Sequence, residues 1–331
     1  MIRRQVWVVL ALLAIAPLGG APPVDAQEIT YIRVATLAPD GSPWMRVFRA
    51  LDTELAERTG GQLRLRIYGG GSQGQESDYI AKMRAGQLDA AALTSSGLST
   101  IVRPVLVLGL PGIVDDYATL DRVRRRMGPR FERIFEREGF VLLGWGDVGK
   151  GRLFSKHRIL RPRDLRPARV WAPTTDVVFS EFLSVIGAQP RRLGVTEVYP
   201  ALQTGMVDTV PGSALAAVAL QWHSHLDYYS RDHAGILVGA SVIRKSKWDS
   251  LSEEHRQVIR DVSRRAHRVA KRMIRSADDA ALRVVEQRMT AVDTTPHRAE
   301  WNRAALRTRD RLMGRVFPRA LFDAVLRAAD E

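Results

Sequence analysis

The loop Gly69–Gly74 is the first stretch whose residue types could do chemistry. Gly70-Gly71-Ser72-Gln73-Gly74 matches GxSxG, the elbow that presents a nucleophilic serine at a strand-to-helix turn. Only one strand and one helix precede the strand that leads into it, too few elements to build a hydrolase oxyanion loop. A secreted serine hydrolase using Ser72 stays as an alternative. The same residues match GxGxxG through Gly69, Gly71 and Gly74, with Asp89 downstream. A dinucleotide site needs its acidic residue at the end of the next strand, and Asp89 precedes that strand. What remains is a loop at a strand's C-terminal end, where open α/β sheets bind ligands.

Other candidates are weaker. His223 and His225, near Asp227 and His233, would share a face on a strand but not on a helix. No second-shell pattern supports a metal, so these read as surface histidines. The basic run Arg122–Arg126 shares a helix with Glu132, Glu136 and Glu138 and reads as a solvated face. No paired catalytic carboxylates, Ser/His/Asp set or cofactor motif stands out. From these residues neither a metal nor a cofactor is expected.

The elements that position these residues alternate. Strands are expected at Tyr31–Leu37, Leu63–Tyr68, Ala90–Thr94, Val105–Leu108 and Val141–Trp145, then near Ala168–Trp171, Gln189–Leu193 and Val207–Val210. Helices lie between them, the first capped by Ser42 with Pro43 in its first turn and stopped at Gly60-Gly61. Others are expected at Ser77–Ala85, Tyr117–Glu138, Asp176–Ile186 and Glu197–Thr204. This alternation implies mostly parallel sheets covered on both faces. Ala234–Arg244 reads as a strand returning to an earlier sheet. Ser252 opens a helical stretch reaching about Met289, long enough to brace two lobes.

Composition narrows the class. The 331 residues carry 50 Lys+Arg against 36 Asp+Glu, a formal charge of +14, and no cysteine. Zero cysteine excludes disulfide scaffolds, zinc fingers, iron–sulfur centres and thiol catalysis. Arg3 and Arg4 precede an apolar run from Val6 to Leu18 and a small-residue site ending at Ala26. That pattern is a secretory signal peptide over residues 1–26, and the run is too short to span a bilayer. Without a lipobox cysteine the mature chain is expected to be soluble, unlipidated and periplasmic. An exported chain has no routine access to nucleic acid. The basic surplus, of which +8 lies between Arg244 and Glu331, therefore reads as a solvated surface.

Five blocks in order carry a family likeness: "IRVATLAPDGSPWMRVF" at 32–48, "KMRAGQLDAAALTSSGLS" at 82–99, "LRPRDLRPARVWAP" at 160–173, "VTEVYPALQTGMVDTV" at 195–210 and "KWDSLSEEHRQVIRDV" at 247–262. Through them the chain resembles the solute receptors of TRAP transporters, of the dicarboxylate-receptor type. The resemblance implies an α/β, two-lobed periplasmic binding protein fold, type II-like, with a long helix bracing both lobes. The lobes are expected at 27–145 plus 234–255 and at 146–233 plus 256–331. It also implies one small-molecule ligand in the cleft, TRAP membrane permease subunits as partners, and a monomer that does no chemistry.

Departures from the family pattern shape the ligand expectation. The strand arginine that pairs with a ligand carboxylate is matched here by Trp171. A second arginine falls on Gly151 or, with a one-residue shift, on Arg152. The asparagine of the family's turn falls on Gly212. An indole cannot replace a charge-assisted guanidinium fork. With Trp44, Trp145 and Trp222 near strand ends, the expected ligand is apolar or amphipathic, lipid-like or a hydrophobic acid, in a hydrophobic pocket. The resemblance extends to a branch that adds a TPR periplasmic partner. Thr36, Ser72, Ser95, Ser96, Thr174 and Ser213 are the expected polar contacts. The alternative is an ordinary carboxylate receptor in which Arg152 or Arg169 takes the anion.

Overall fold

The computed structural model describes residues 29–330. The signal segment expected at 1–26 lies outside the described residues. The first lobe is built from β1 (Thr30–Thr36), α1 (Pro43–Arg58), β2 (Leu63–Tyr68), α2 (Glu76–Arg84), β3 (Ala90–Thr94), α3 (Ser95–Leu98), α4 (Tyr117–Arg137) and β4 (Phe140–Lys150). The second carries β5 (Arg152–Ser155), β6 (Val170–Pro173), α5 (Val177–Ile186), β7 (Pro190–Leu193), α6 (Val198–Gln203), β8 (Thr209–Gly212), α7 (Ala214–Ala219) and β9 (Tyr228–Ser230). The chain then returns through β10 (Ile236–Arg244) and α8 (Lys245–Asp249), runs the length of α9 (Glu253–Arg288), and ends in β11 (Thr290–Val292), α10 (Arg298–Leu312) and α11 (Arg319–Asp330).

Two sheets result, ordered β2-β1-β3-β10-β4 and β11-β9-β5-β8-β6-β7. In the first, β1 pairs in parallel with β2 and β3, while β10 inserts antiparallel between β3 and β4. The return of 234–244 to the earlier sheet is therefore as the sequence implied. Only Gly151 separates β4 from β5, so one residue carries the chain from sheet to sheet. The return crossing runs from Ser230 to Ile236.

Ser42 accepts from Met45 N and starts α1, with Pro43 supplying the preset φ. Ser252 does the same for α9, whose 36 residues reach about 54 Å. Along that length α9 packs on α1 and β4 of one lobe and α7 of the other. The amphipathic pattern of Val258, Ile259, Val262, Ala270 and Ile274 supplies the buried stripe. The end of the chain divides: α10 packs on α5 and α11 on α4.

The expected strand at Val105–Leu108 is instead part of a 3-10 helix, Arg103–Gly109. All four residues are buried, and a short apolar run does not by itself distinguish strand from buried helix. Pro104 in the first turn removes a ladder donor, and Val105 N bonds Val102 O three residues back.

Candidate ligand-binding cleft

One large cavity, about 1050 Å³, lies between the sheets and draws its walls from both lobes. The first lobe contributes Thr36 at the end of β1, Trp44 on α1 and Ser95 and Ser96 after β3. The second contributes Trp171 on β6, Gly212 at the end of β8, Ser213 and Trp222. Thr36, Ser95, Ser96, Gly212 and Ser213 sit at strand ends and the turns that follow them, where an open α/β sheet exposes its backbone to a ligand.

Arg152 sits at the start of β5, one residue beyond the crossing, and is among the cavity-lining residues. Its residue exposure is only 8 %. Its Nη1 donates to Ser230 O at 3.0 Å and to Arg231 O, both on the return crossing. Burial pushes its pKa down, and the nearby negative charges of Asp278, Asp232 and Glu286 oppose that shift. Among the described residues no carboxylate forms an ion pair with it. Asp278 is committed elsewhere: its oxygens accept from Lys150 N and Leu215 N, both at 2.9 Å. A buried cation held by carbonyls alone favours an anion arriving from the cleft.

Trp171 lines the cavity, as expected, and also packs into the second lobe's core. It is 4 % exposed, its Nε1 donates to Leu193 O at 2.9 Å, and its ring meets Trp222 edge-on at 5.2 Å. One edge reaches the cavity while most of the indole packs in the second lobe's core. Trp44 spans toward the crossing strand, donating Nε1 to Asp147 O at 3.2 Å.

Three expected contacts lie away from the cavity lining. Ser72 is exposed on its loop, Thr174 is exposed beyond β6, and Trp145 packs against Phe131 at 5.6 Å beneath Arg124. Arg169 also lies outside it, half exposed and paired with Asp208 at 3.2 Å. Of the two alternative arginines, only Arg152 faces the cleft.

Sequence reasoning missed the contribution of α10, whose Arg298, Trp301 and Arg309 line one end. No strand–helix alternation or family block pointed there. It also missed Glu76, whose side chain accepts from Thr94 N at 2.5 Å and Thr94 Oγ1 at 2.7 Å. Burial pushes the Glu76 carboxyl up, against those hydrogen bonds. His267, bonded to Ser263 O and Ser241 Oγ, is pushed toward the neutral form by burial. Among the described residues no cluster of histidine and acidic side chains could hold a metal ion.

Two α/β lobes joined by short crossings, braced by one long helix and enclosing a cleft, define a periplasmic-type solute receptor. The model for bacterial extracellular solute-binding proteins of family 7, DctP, matches residues 34–313, and the chain belongs to that family. It is a periplasmic TRAP-type receptor of the DctP kind, and such receptors bind without catalysing. The C4-dicarboxylate-binding periplasmic protein DctP of Rhodobacter capsulatus is 22% identical over 96% of both chains. Other curated matches span from 34% to 77% of the relative's length. The sugar acid binding protein DctPAm of Advenella mimigardefordensis, solved with galactonate, superposes with a TM-score of 0.86 at 17% identity, covering 92% of this chain and 98% of that one. A TRAP receptor from Shewanella oneidensis with bound succinate gives 0.85 at 15% identity, covering 91% and 99%.

Further solved relatives hold galacturonate, glucuronate and pyroglutamic acid. These ligands are all acids, which overturns the expectation of an apolar, lipid-like ligand, a lipid-binding pocket and a TPR partner. An indole at position 171 implied a cleft without its cation, but a guanidinium lines that cleft from Arg152. The indole is mostly a core side chain, and Arg152 supplies a buried positive charge a short way along the chain.

Proposed function

We propose that this receptor captures a small carboxylate-bearing solute, an organic or sugar acid, and presents it to TRAP membrane permease subunits. Arg152 carries the reading: a buried guanidinium in the cleft, tied to backbone carbonyls and, among the described residues, in no ion pair with a carboxylate. Thr36, Ser95, Ser96 and Ser213 offer hydroxyls for a polar acid, with the backbone at Gly212 beside them. Trp44, Trp171 and Trp222 supply apolar walls for its carbon skeleton. The working lobe boundaries follow the sheets, with crossings at Lys150–Arg152 and Ser230–Ile236. Both crossings meet at Arg152, so an acid bound there sits on the hinge.

The test is calorimetric titration with D-glucuronate, D-galacturonate, succinate and pyroglutamate, repeated on Arg152→Met. Removing one member of a buried, hydrogen-bonded charge pair costs about 2–5 kcal/mol, or roughly 30-fold to several thousand-fold in affinity. At least one acid should bind the unaltered protein and weaken by that factor in the variant. Acid binding that ignores Arg152→Met would remove Arg152 from the site.

A further inference from the structure

The glycine loop with the GxSxG spelling presents no nucleophile to the cleft. It reaches across to the other lobe instead. Gly70 N and Gly71 N bond Ala38 O and Thr36 O, fastening the loop to the end of β1. Positive φ at Gly70, Gly71 and Gly74 permits its course. The loop ends in Gln75, whose backbone N donates to Asp78 Oδ2 at 2.8 Å. That bond fixes the residue and leaves its amide side chain free to point outward.

The Gln75 amide meets the turn between β7 and α6 of the second lobe. Its Oε1 accepts from Val195 N at 3.2 Å and its Nε2 donates to Thr196 Oγ1 at 3.1 Å. Donor and acceptor are both used, so the amide reads the turn in one orientation. The turn is shaped to receive it. A Cβ on Gly194 would lie 1.7 Å from Gln75 Nε2, and one on Gly71 would lie 2.4 Å from Thr196 Cγ2. Glu197 Oε2 accepts from Gly194 N at 2.6 Å and holds the turn from behind. Trp171 Nε1 holds the preceding carbonyl of Leu193, which links the turn to the cleft wall.

We propose that Gln75 is a closure latch: a positioning residue that joins the lobes directly, through the 194–196 turn, and so sets how long the cleft stays shut around its ligand. The contact involves no ligand atom. It therefore weights the closed arrangement by a fixed factor for every solute, while the cleft decides which solute binds. Two such bonds, at the strength of ordinary intramolecular hydrogen bonds, change the closed-to-open ratio about fivefold to 150-fold.

The inference rests on the two-lobed receptor reading, and its test needs no ligand, so a failure to bind acids is distinguishable from a failure of the latch. The chain has no cysteine, so Arg84→Cys on α2 and Arg191→Cys on β7 give a clean spin-label pair at exposed positions. Electron–electron distance measurements should find the ratio of compact to open populations reduced about fivefold to 150-fold in Gln75→Ala. Thr196→Val, which loses one bond, should fall between. Gly194 has an ordinary backbone (φ −70°), and the three atoms nearest an added Cβ all belong to the Gln75 side chain. Gly194→Ala should open the protein alone but add little in the Gln75→Ala background. Distances unchanged in Gln75→Ala, or a Gly194→Ala effect that persists in full without the Gln75 side chain, would overturn the proposal. Thermal unfolding of each variant separates opening from loss of fold.

Discussion

Replacing Asp147 by asparagine should strand a buried cation on β4, the strand that leads into the crossing at Gly151. The Asp147 side chain is fully buried on β4, its Oδ1 2.5 Å from Arg124 Nη1 and its Oδ2 2.7 Å from Arg275 Nε. The two arginines stand differently toward the loss. Arg275 keeps Asp121, bonded at 2.9 and 3.0 Å. Arg124 keeps Gly146 O at 2.7 Å, the Trp145 ring at 5.7 Å and the weaker pull of Asp121, and its side chain is 3 % exposed. Burial already pushes the Arg124 pKa down, with Asp147 as the chief opposing charge.

Asparagine has almost the same volume, so the cost is electrostatic rather than a cavity. Breaking a buried pair by removing one partner costs about 3–5 kcal/mol. For a chain of this size that corresponds to a fall in Tm of about 6–10 °C. Urea and thermal unfolding measure it. Arg124→Met in the Asp147→Asn background removes the stranded charge and should recover most of the loss. A cost under about 1 kcal/mol, or no recovery in the double variant, would refute the assignment of Arg124 as an uncompensated buried cation.

Acid stability offers a second test. Burial pushes the Asp89 carboxyl up, but hydrogen bonds from the Arg33 side chain and backbone, and from Arg244, pull it below its ordinary value. Its stabilisation is thus present above the unfolded-state pKa of about 3.9 and is lost as pH falls through the lower folded-state value. Tm should drop on acidification below about pH 4, and Asp89→Asn should lower Tm at pH 7 while flattening that acid limb. Glu76 and Asp278, both pushed up by burial, act in the opposite direction and lose stabilisation as pH rises through their folded-state values. At Gly149, φ is +128° and a Cβ would lie 2.6 Å from Ser213 Cβ and 2.7 Å from Asp278 Oδ1. Gly149→Ala should therefore cost about 2–4 kcal/mol by denaturant unfolding.

Much of the architecture was legible because it follows from local patterns. The Ser42–Pro43 start, the alternating runs of β1 to β3 and the 36-residue amphipathic α9 each carry their own signal. The short strands and helices of the second lobe were harder. β5 and β9 have four and three residues, and their pairing depends on partners far along the chain. Thr36, Ser95, Ser96 and Ser213 were found because strand ends point at ligands in this class of sheet. Arg298 and Arg309 were not, because α10 reaches the cleft through tertiary packing, chiefly on α5. Trp171 does line the cavity, but its position on a strand could not show how deeply the side chain is sunk. The same is true of Gln75: its role depends on a turn 120 residues away in sequence.

The central claim is that an acid is held in the interlobe cleft by Arg152. A crystal structure of the mature receptor with the tightest-binding acid of the panel tests it most directly. The account predicts the ligand carboxylate within about 3 Å of the Arg152 guanidinium, with hydroxyl contacts to Thr36, Ser95, Ser96 or Ser213. A carboxylate seated against another cation, with Arg152 still bound only to the carbonyls of Ser230 and Arg231, would contradict it.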